Sequence, residues 1–257
     1  MGRSKRRRLG QNFLTDANVA EQMAALTDAS TPRVLEIGPG KGALTQPLLE
    51  RFDRLLALEL DESLVPALRE QFGTAGVEFR AADALKEPLD PLLDEEAPWQ
   101  VAANLPYSVG TAILRRLLPR NDLFTRIVVM LQQEVVDRLV ARPAGKGHGI
   151  MALERAAFAE AYIAFQVPPN AFKPRPRVMS AVVVFDLHPA PHSPESLSGA
   201  FSLACRALTM PRKVLTNALA PDVGSDQLEA ADIDPKLRPG TLDLADWVRL
   251  AGVIGRQ

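Results

Sequence analysis

Short apolar runs alternate with amphipathic stretches from about Pro32 to Leu187, and this alternation limits the fold more than any other feature of the sequence. The apolar runs have the length of buried strands, whereas the stretches between them have helical spacing. Strand–helix alternation of this kind predicts an α/β fold, with a mostly parallel, seven-stranded sheet between two layers of helices. Ligands bind such sheets at the carboxyl ends of the strands. The predicted strands are Arg33–Ile37, Arg54–Leu60, Val77–Ala81, Gln100–Ala103, Ile127–Leu131, Tyr162–Val167 and Ala181–Asp186.

A proline-rich segment ends this pattern. His188–Pro194 contains three prolines in seven residues, which neither a strand nor a helix tolerates. We therefore predict a first domain over 1–187, with 1–31 as a basic N-terminal segment that covers a ligand, and a small all-helical domain over 188–257. The helices predicted in the second domain are Glu195–Leu208, Arg212–Leu219, Asp226–Ala231 and Leu242–Val253.

The charge of the chain gives no general reason to expect a nucleic-acid partner. The chain has 30 basic and 31 acidic residues, so its net charge is −1. Nucleic-acid-binding domains, in contrast, often have a pI above about 9. The first eight residues are an exception, because they include Arg6, Arg7 and Arg8. This cluster is either a binding arm or a solvated tail.

Cellular location is indicated by what the sequence lacks. No apolar run approaches the roughly 18–20 residues that span a bilayer, and the N-terminus has no signal-peptide core. The single cysteine, Cys205, cannot form an internal disulfide and is expected to be a small buried residue. We expect a monomeric cytoplasmic protein without a membrane partner. Together with Cys205, the three histidines at 148, 188 and 192 make no metal-ligand pattern.

A glycine-rich turn follows the first predicted strand. Glu36 is followed by Gly38, Gly40 and Gly42, a G-x-G-x-G spacing that differs from the dinucleotide fingerprint. Glycines allow a ligand to approach the backbone closely. With an acidic residue at the strand end, such a turn suits the amino-acid part of S-adenosylmethionine (SAM). A tight connection without a ligand is an equally good interpretation of the turn alone.

Two further acidic residues follow the next predicted strands. Glu59 lies about 20 residues beyond the first glycine, where a carboxylate accepts both ribose hydroxyls. Asp61 is better placed than Glu59 to cap the helix that follows. Asp83, after the third strand, is placed to accept a hydrogen bond from an adenine amine. A simple turn residue remains an equally good interpretation of Asp83.

The tetrapeptide Asn104-Leu105-Pro106-Tyr107 closes the fourth predicted strand and is the most specific motif. The amine of adenine is a poor nucleophile, because its lone pair is delocalised into the ring. The Asn104 side-chain oxygen and the Leu105 carbonyl are suited to accept its two hydrogens and to direct the lone pair at a methyl donor. Tyr107 is suited to stack on the base. A plain turn is the alternative interpretation.

The segment 170–180 joins the last two predicted strands. Phe172 is placed to pack on the second face of a flipped-out base, and Lys173, Arg175 and Arg177 are placed to meet phosphates. A structural loop is an equally good interpretation.

Together these motifs resemble the ribosomal RNA adenine dimethyltransferases of the KsgA type. The resemblance rests on Gln11–Leu14, Glu36–Thr45, Asn104–Tyr107 and Phe172–Ala181, and it extends to Ile233–Pro239. It implies a Rossmann-like, SAM-dependent methyltransferase domain with a small helical C-terminal domain, and S-adenosylhomocysteine as the product. The implied substrate is a pair of adjacent adenines near the 3′ end of small-subunit rRNA, dimethylated within an immature ribosomal subunit.

The resemblance also implies roles for individual residues. Asn12 and Leu14 are expected to contact the cofactor together with Glu36, Gly38, Glu59, Asp83 and Asn104, while Gly40 and Gly42 shape the turn. The basic stretch expected early in the helical domain reduces here to Arg212 and Lys213. A glutamine expected shortly after His148 is replaced by the sequence Ile150–Arg155.

Two other functions compete with this one. An Erm-type enzyme that methylates an adenine of large-subunit rRNA shares the general pattern. A non-catalytic RNA-binding assembly or transcription factor on the same scaffold is the second alternative. The amino-acid sequences of 104–107 and 233–239 favour the KsgA type over the Erm type. The presence of Asn104 and Tyr107 argues against a loss of catalysis.

Overall fold

A computed structural model describes residues 12–28, 30–73, 76–93 and 98–255. They divide into two compact units. The first unit runs through Val136 and resumes at Glu160–His188, and the second unit combines Asp137–Ala159 with the chain from Pro189 onward.

A seven-stranded sheet forms the centre of the first unit. Its strands lie in the order β4-β3-β2-β5-β6-β9-β7, and a separate antiparallel pair is formed by β1 and β8. Strands β2 to β6 pair in parallel, and β9 runs antiparallel to β6, which confirms the mostly parallel sheet. The strands are β1 Phe13–Leu14, β2 Arg33–Ile37, β3 Arg54–Glu59, β4 Val77–Ala81, β5 Trp99–Asn104, β6 Phe124–Gln132, β7 Ala159–Val167, β8 Phe172–Lys173 and β9 Ser180–Leu187.

The helices form where apolar residues recur on one face. In α4, Ile113, Leu114 and Leu117 are buried while Arg115 and Arg116 lie on the other side. The helices are α1 Ala17–Ala25, α2 Thr45–Leu49, α3 Val65–Phe72, α4 Gly110–Leu117, α5 Gln133–Leu139, α6 Ile150–Phe158, α7 Pro194–Leu208, α8 Leu215–Leu219, α9 Ser225–Ala230 and α10 Leu244–Ile254. Within the described ranges, no helix is long and apolar enough to cross a membrane.

The second unit is helical, and its composition corrects the predicted domain division. We predicted that all of 1–187 belongs to one domain, yet α6 packs Leu153 and Ala157 into the helical core around Trp247. The loop before α6 is bonded to the same unit, because the Ala144 N–H donates to the Gly240 carbonyl at 2.8 Å. The excursion 137–159 therefore buries its apolar face among the C-terminal helices. Cys205, predicted to be buried, is exposed on α7.

The central strands explain where polar groups collect. Strands β2, β3 and β5 are buried almost throughout, as expected for a sheet covered on both faces. Glu36 and Glu59 are the ionisable exceptions within β2 and β3, near the carboxyl ends of these strands. Because the strands are parallel, these ends meet at one edge of the sheet.

Candidate active site

The turn after β2 requires glycine at two positions for different reasons. Gly42 has a φ of +82°, and a Cβ there would lie 2.3 Å from the Phe72 ring. Gly40 has a φ of +59°, and a Cβ there would approach the Phe13 ring to 3.0 Å. The turn therefore lies tightly between α3 and β1, and no side chain projects from these two positions into the space above the sheet.

Glu59 at the end of β3 is buried and fixed by backbone donors. Its Oε2 accepts the Gly40 N–H at 3.0 Å, and its Oε1 accepts the Asp61 N–H at 2.9 Å. Burial raises the pKa of this carboxyl group, although the two N–H donors act in the opposite direction. Since each carboxylate oxygen has two acceptor sites, Glu59 retains capacity for ligand hydroxyls.

Glu36 at the carboxyl end of β2 is more deeply buried and is 1% exposed. The Thr45 hydroxyl donates to its Oε2 at 2.7 Å. Burial raises the pKa of Glu36 to about 8, and the nearby charge of Glu59 contributes in the same direction. A pKa of about 8 keeps Glu36 mostly protonated at neutral pH.

A single pocket at this edge of the sheet brings the predicted cofactor residues together. Its wall includes all of them except Gly42, which lies against the Phe72 ring and shapes the turn. The residues brought together are Asn12, Leu14, Glu36, Gly38, Gly40, Glu59, Asp83 and Asn104.

The pocket also has apolar walls that sequence reasoning missed. Leu60 and Leu85 line it and are 53% and 36% exposed, and Val109 and Ile113 also line it. Leu60 directly follows β3, and Leu85 lies in the loop after β4. Large aliphatic side chains that are exposed in a pocket are suited to flank a flat ring. The signal available in the sequence was an apolar residue immediately following Glu59.

Asp83 both makes a turn and lines the pocket. Its Oδ1 accepts the Leu85 N–H at 3.0 Å, and the Lys86 amine lies 3.7 Å from Oδ2. Arg116 on α4 donates to the Ala84 carbonyl at 2.6 Å and also to the Glu87 carbonyl, which fixes the loop after β4. The turn interpretation of Asp83 is therefore correct and compatible with a binding role.

Asn104 is oriented by the N-terminal segment. Its Nδ2 donates to the main-chain carbonyl of Asn12 at 3.2 Å. Because the amide nitrogen is engaged in this way, Oδ1 is the acceptor that Asn104 offers to a ligand. The Leu105 side chain is buried, so this residue can contribute only through its backbone, while Pro106 lines the pocket.

Tyr107 is half-buried, and its hydroxyl is bonded to another strand. The Tyr107 oxygen lies 2.6 Å from Oγ of Ser180, the first residue of β9. Burial raises the pKa of the phenol, so it remains neutral at physiological pH.

The structure does not support the base-stacking role expected for Phe172. Its ring is 4% exposed and packs in the hydrophobic core with Leu14, outside the pocket wall. The reason is the pairing of β1 with β8, which aligns Leu14 with Phe172. Thr15 reinforces the pairing, because its N–H and hydroxyl both donate to the Ala171 carbonyl, at 2.8 and 3.1 Å.

The predicted RNA-binding residues fall into three groups. Lys173, Arg175 and Arg177 are exposed on the first unit, and Arg212 and Lys213 are exposed on the second. The group Arg6, Arg7 and Arg8 lies outside the described residues. No cluster of metal-ligating side chains occurs within the part of the chain that the structure describes.

The sheet order and the site at its carboxyl edge define the Rossmann-like fold of the SAM-dependent methyltransferases. Two solved structures share it over nearly the whole chain. A dimethyladenosine transferase from Plasmodium falciparum is 21% identical, with a TM-score of 0.75, and the match covers 93% of this chain and 95% of that one. The 23S rRNA methyltransferase ErmE is also 21% identical, with a TM-score of 0.72 and coverage of 95% and 100%.

The chain belongs to the ribosomal RNA adenine dimethylase family, whose sequence profile matches residues 2–254. The ribosomal RNA small subunit methyltransferase A of Alcanivorax borkumensis is 38% identical over 250 residues, covering 96% of this chain and 89% of the relative. The enzyme of the same name from Geobacter sulfurreducens is 40% identical over 257 residues, covering 95% and 93%. The predicted family, fold class and enzyme class are confirmed.

Proposed function

We propose that this protein transfers methyl groups from SAM to the 6-amino groups of two adjacent adenines near the 3′ end of small-subunit rRNA, within an immature subunit. The names of the relatives at 38–40% identity support the small subunit as substrate. The likeness to ErmE is one of fold, so it gives no support to a large-subunit substrate. The observation that carries the chemistry is the Asn104 amide, oriented by Asn12 at the rim of the pocket.

The pocket residues fit SAM. Glu59 is buried at the strand end with both oxygens fixed by N–H donors, so it accepts the ribose hydroxyls without reorganising. Asp83 accepts from the adenine amine, and Leu60 and Leu85 flank the ring. The glycine turn at Gly38 leaves room for the amino-acid part. Bound SAM supplies a methyl group on a sulfonium, which is transferred by in-line displacement.

The chain activates the target amine through hydrogen-bond acceptors. Asn104 Oδ1 and the Leu105 carbonyl accept the two amine hydrogens and orient the nitrogen lone pair toward the pocket. Each transfer leaves S-adenosylhomocysteine and releases one amine proton to water. After the first transfer one hydrogen remains on the amine, so one acceptor still orients it for the second. Tyr107 stacks on the base. The residues accelerate transfer by position and electrostatics, without a strong base.

RNA contacts are assigned to the exposed basic residues. Lys173 is the last residue of β8, and Arg175 and Arg177 follow shortly after it. The partner strand of β8 is β1, which lines the cofactor pocket. We assign these residues, together with Arg212, Lys213 and the segment 6–8, to contacts with RNA phosphates. We further propose that the protein acts in the cytoplasm as a monomer. Because the net charge is −1, the shape of a preassembled particle contributes more to recognition than bulk attraction.

The test is methylation with tritiated SAM of immature small subunits and, separately, of large-subunit RNA, followed by mapping of the labelled bases. We expect label on two adjacent small-subunit adenines, and loss of label in Asn104→Ala with SAM binding partly retained. Asn121→Ala, at an exposed turn, is the matched control and keeps full activity. Label on large-subunit RNA would favour the Erm-type activity, and no label on either would favour the non-catalytic role.

A further inference from the structure

The hydroxyl pair formed by Tyr107 and Ser180 has no function in the chemistry described above. Tyr107 is assigned to stacking, which uses the face of the ring rather than its hydroxyl. Yet the hydroxyl lies 2.6 Å from Ser180 Oγ across 73 positions of sequence. Each hydroxyl can donate or accept, and because Ser180 is fully buried its hydroxyl needs a hydrogen-bond partner.

Ser180 lies on a rigid part of the sheet. It is 0% exposed and pairs with Gln132 at the end of β6. The next backbone bond fixes it further, because the Gln133 N–H donates to the Met179 carbonyl at 3.0 Å. Strand β6 also pairs with β5 at Asn104, so Ser180 and Asn104 belong to one continuous hydrogen-bonded edge.

The packing around Ser180 does not by itself call for a serine. The five residues that follow it, Ala181–Phe185, are all buried and apolar. A buried hydroxyl in such a run destabilises the fold unless it has a hydrogen-bond partner. Alanine would fill nearly the same space, so the hydrogen bond to the Tyr107 hydroxyl is the interaction that explains a serine at this position.

The opposite end of Tyr107 is fixed as well. The Pro106 carbonyl, one residue earlier, accepts the N–H groups of Val109 and Gly110 at 3.1 and 2.9 Å, which begins α4. With its backbone held by this turn and its hydroxyl held by β9, the ring has one orientation. Fixing the ring in advance lowers the entropy lost when a base stacks on it.

From these contacts we infer that Ser180 is a positioning residue, which holds the ring of Tyr107 in the plane that stacks on the target adenine. The inference rests on the proposed function, and it assigns to Ser180 no contact with the substrate. Neither Tyr107 nor Ser180 lines the cofactor pocket, so their bond acts on the base and not on SAM.

A double-mutant cycle tests the inference through single-turnover methylation of small subunits at saturating SAM. Ser180→Ala and Tyr107→Phe each remove one hydroxyl of the pair, and each should slow the reaction about three- to tenfold, the range of a neutral hydrogen bond. The double variant should be no slower than Tyr107→Phe alone, with the SAM Kd unchanged throughout. Effects that multiply in the double variant would overturn the inference, because they would show that Ser180 acts elsewhere.

Tyrosine NMR reads the same contact without activity. The chain has two tyrosines, so protein labelled with ¹³C at the ring ζ carbon gives two signals. Tyr162→Phe, at an exposed position on β7, assigns them. Ser180→Ala should shift the Tyr107 signal and leave that of Tyr162 in place, and an unmoved Tyr107 signal would overturn the inference. The NMR result does not depend on the proposed function. That function would instead be refuted if the wild-type protein methylated no RNA.

Discussion

Replacing Glu36 with glutamine should change how the stability of the first unit depends on pH. The carboxyl group is 1% exposed, and burial raises its pKa from 4.5 to about 8. The folded protein therefore binds a proton that the unfolded chain releases between these two values. The stability that this carboxyl group contributes is fully present below the lower value and is lost as the pH rises toward the upper one. Glutamine keeps the bond to Thr45 and cannot titrate.

The size of the effect follows from the two pKa values. Between them, one extra bound proton changes the free energy of unfolding by about 1.4 kcal/mol per pH unit. From about pH 5.5 to pH 7.5 the wild type should therefore lose about 2 to 3 kcal/mol relative to Glu36→Gln. The negative charge of Glu59 contributes to the shift, so Glu59→Gln should lower the pKa of Glu36 and reduce the total loss without abolishing it.

Urea denaturation followed by tryptophan fluorescence measures this difference in unfolding free energy for the first structural unit. Trp99 lies in β5 of the first unit and Trp247 in the second, so a Trp247→Phe background makes the signal specific. Glu21→Gln, at an exposed position on α1, is the control and should follow the wild type at both pH values. If Glu36→Gln shows the same pH dependence as the wild type, Glu36 is not protonated in the folded protein and the reasoning fails.

Three further predictions concern the turn, the loop and the N-terminus. Gly42→Ala should lower the free energy of unfolding by about 1–3 kcal/mol in urea, because the added Cβ meets the Phe72 ring at a φ of +82°; unchanged stability would contradict the tight turn. Arg116→Ala should weaken SAM binding about tenfold by calorimetry, since it removes bonds to the Ala84 and Glu87 carbonyls; an unchanged Kd would show that the loop stays in place without it. Removing residues 1–8 should weaken RNA binding and flatten its dependence on salt, whereas equal affinity and equal slope would identify a solvated tail.

The sheet and the cofactor pocket could be predicted from sequence because their signals are local. Strands β2, β3 and β5 are mostly apolar, buried runs, and a polar residue lies at or near the carboxyl end of each. Glu36, Glu59 and Asn104 were found in this way, each at the carboxyl end of its own strand. Parallel pairing then brings them to one edge whatever the details of packing.

The parts that could not be predicted depend on contacts between distant segments. Phe172 has the same sequence neighbours whether its ring faces a base or the core, and pairing with β1 decides for the core. The bond between Tyr107 and Ser180 spans two strands and leaves no periodic signal. Helix α6 is amphipathic in either unit, so only the packing of Leu153 shows which one it joins.

The excursion at 137–159 has a consequence for the order in which the protein folds during synthesis. Helix α6 leaves the ribosome before α7 and α10, so its apolar face at Leu153 waits for partners made later. The sheet is also incomplete at that moment, because β9 inserts between β6 and β7 and is the last strand made. A nascent chain stopped before Ser180 therefore exposes the side of β6 that β9 would cover, an unpaired edge open to other chains. If the gene were divided at the proline-rich segment, α6 would stay with the fragment that contains the sheet. The helical unit would then lack α6, and α6 would lack the helices against which it packs.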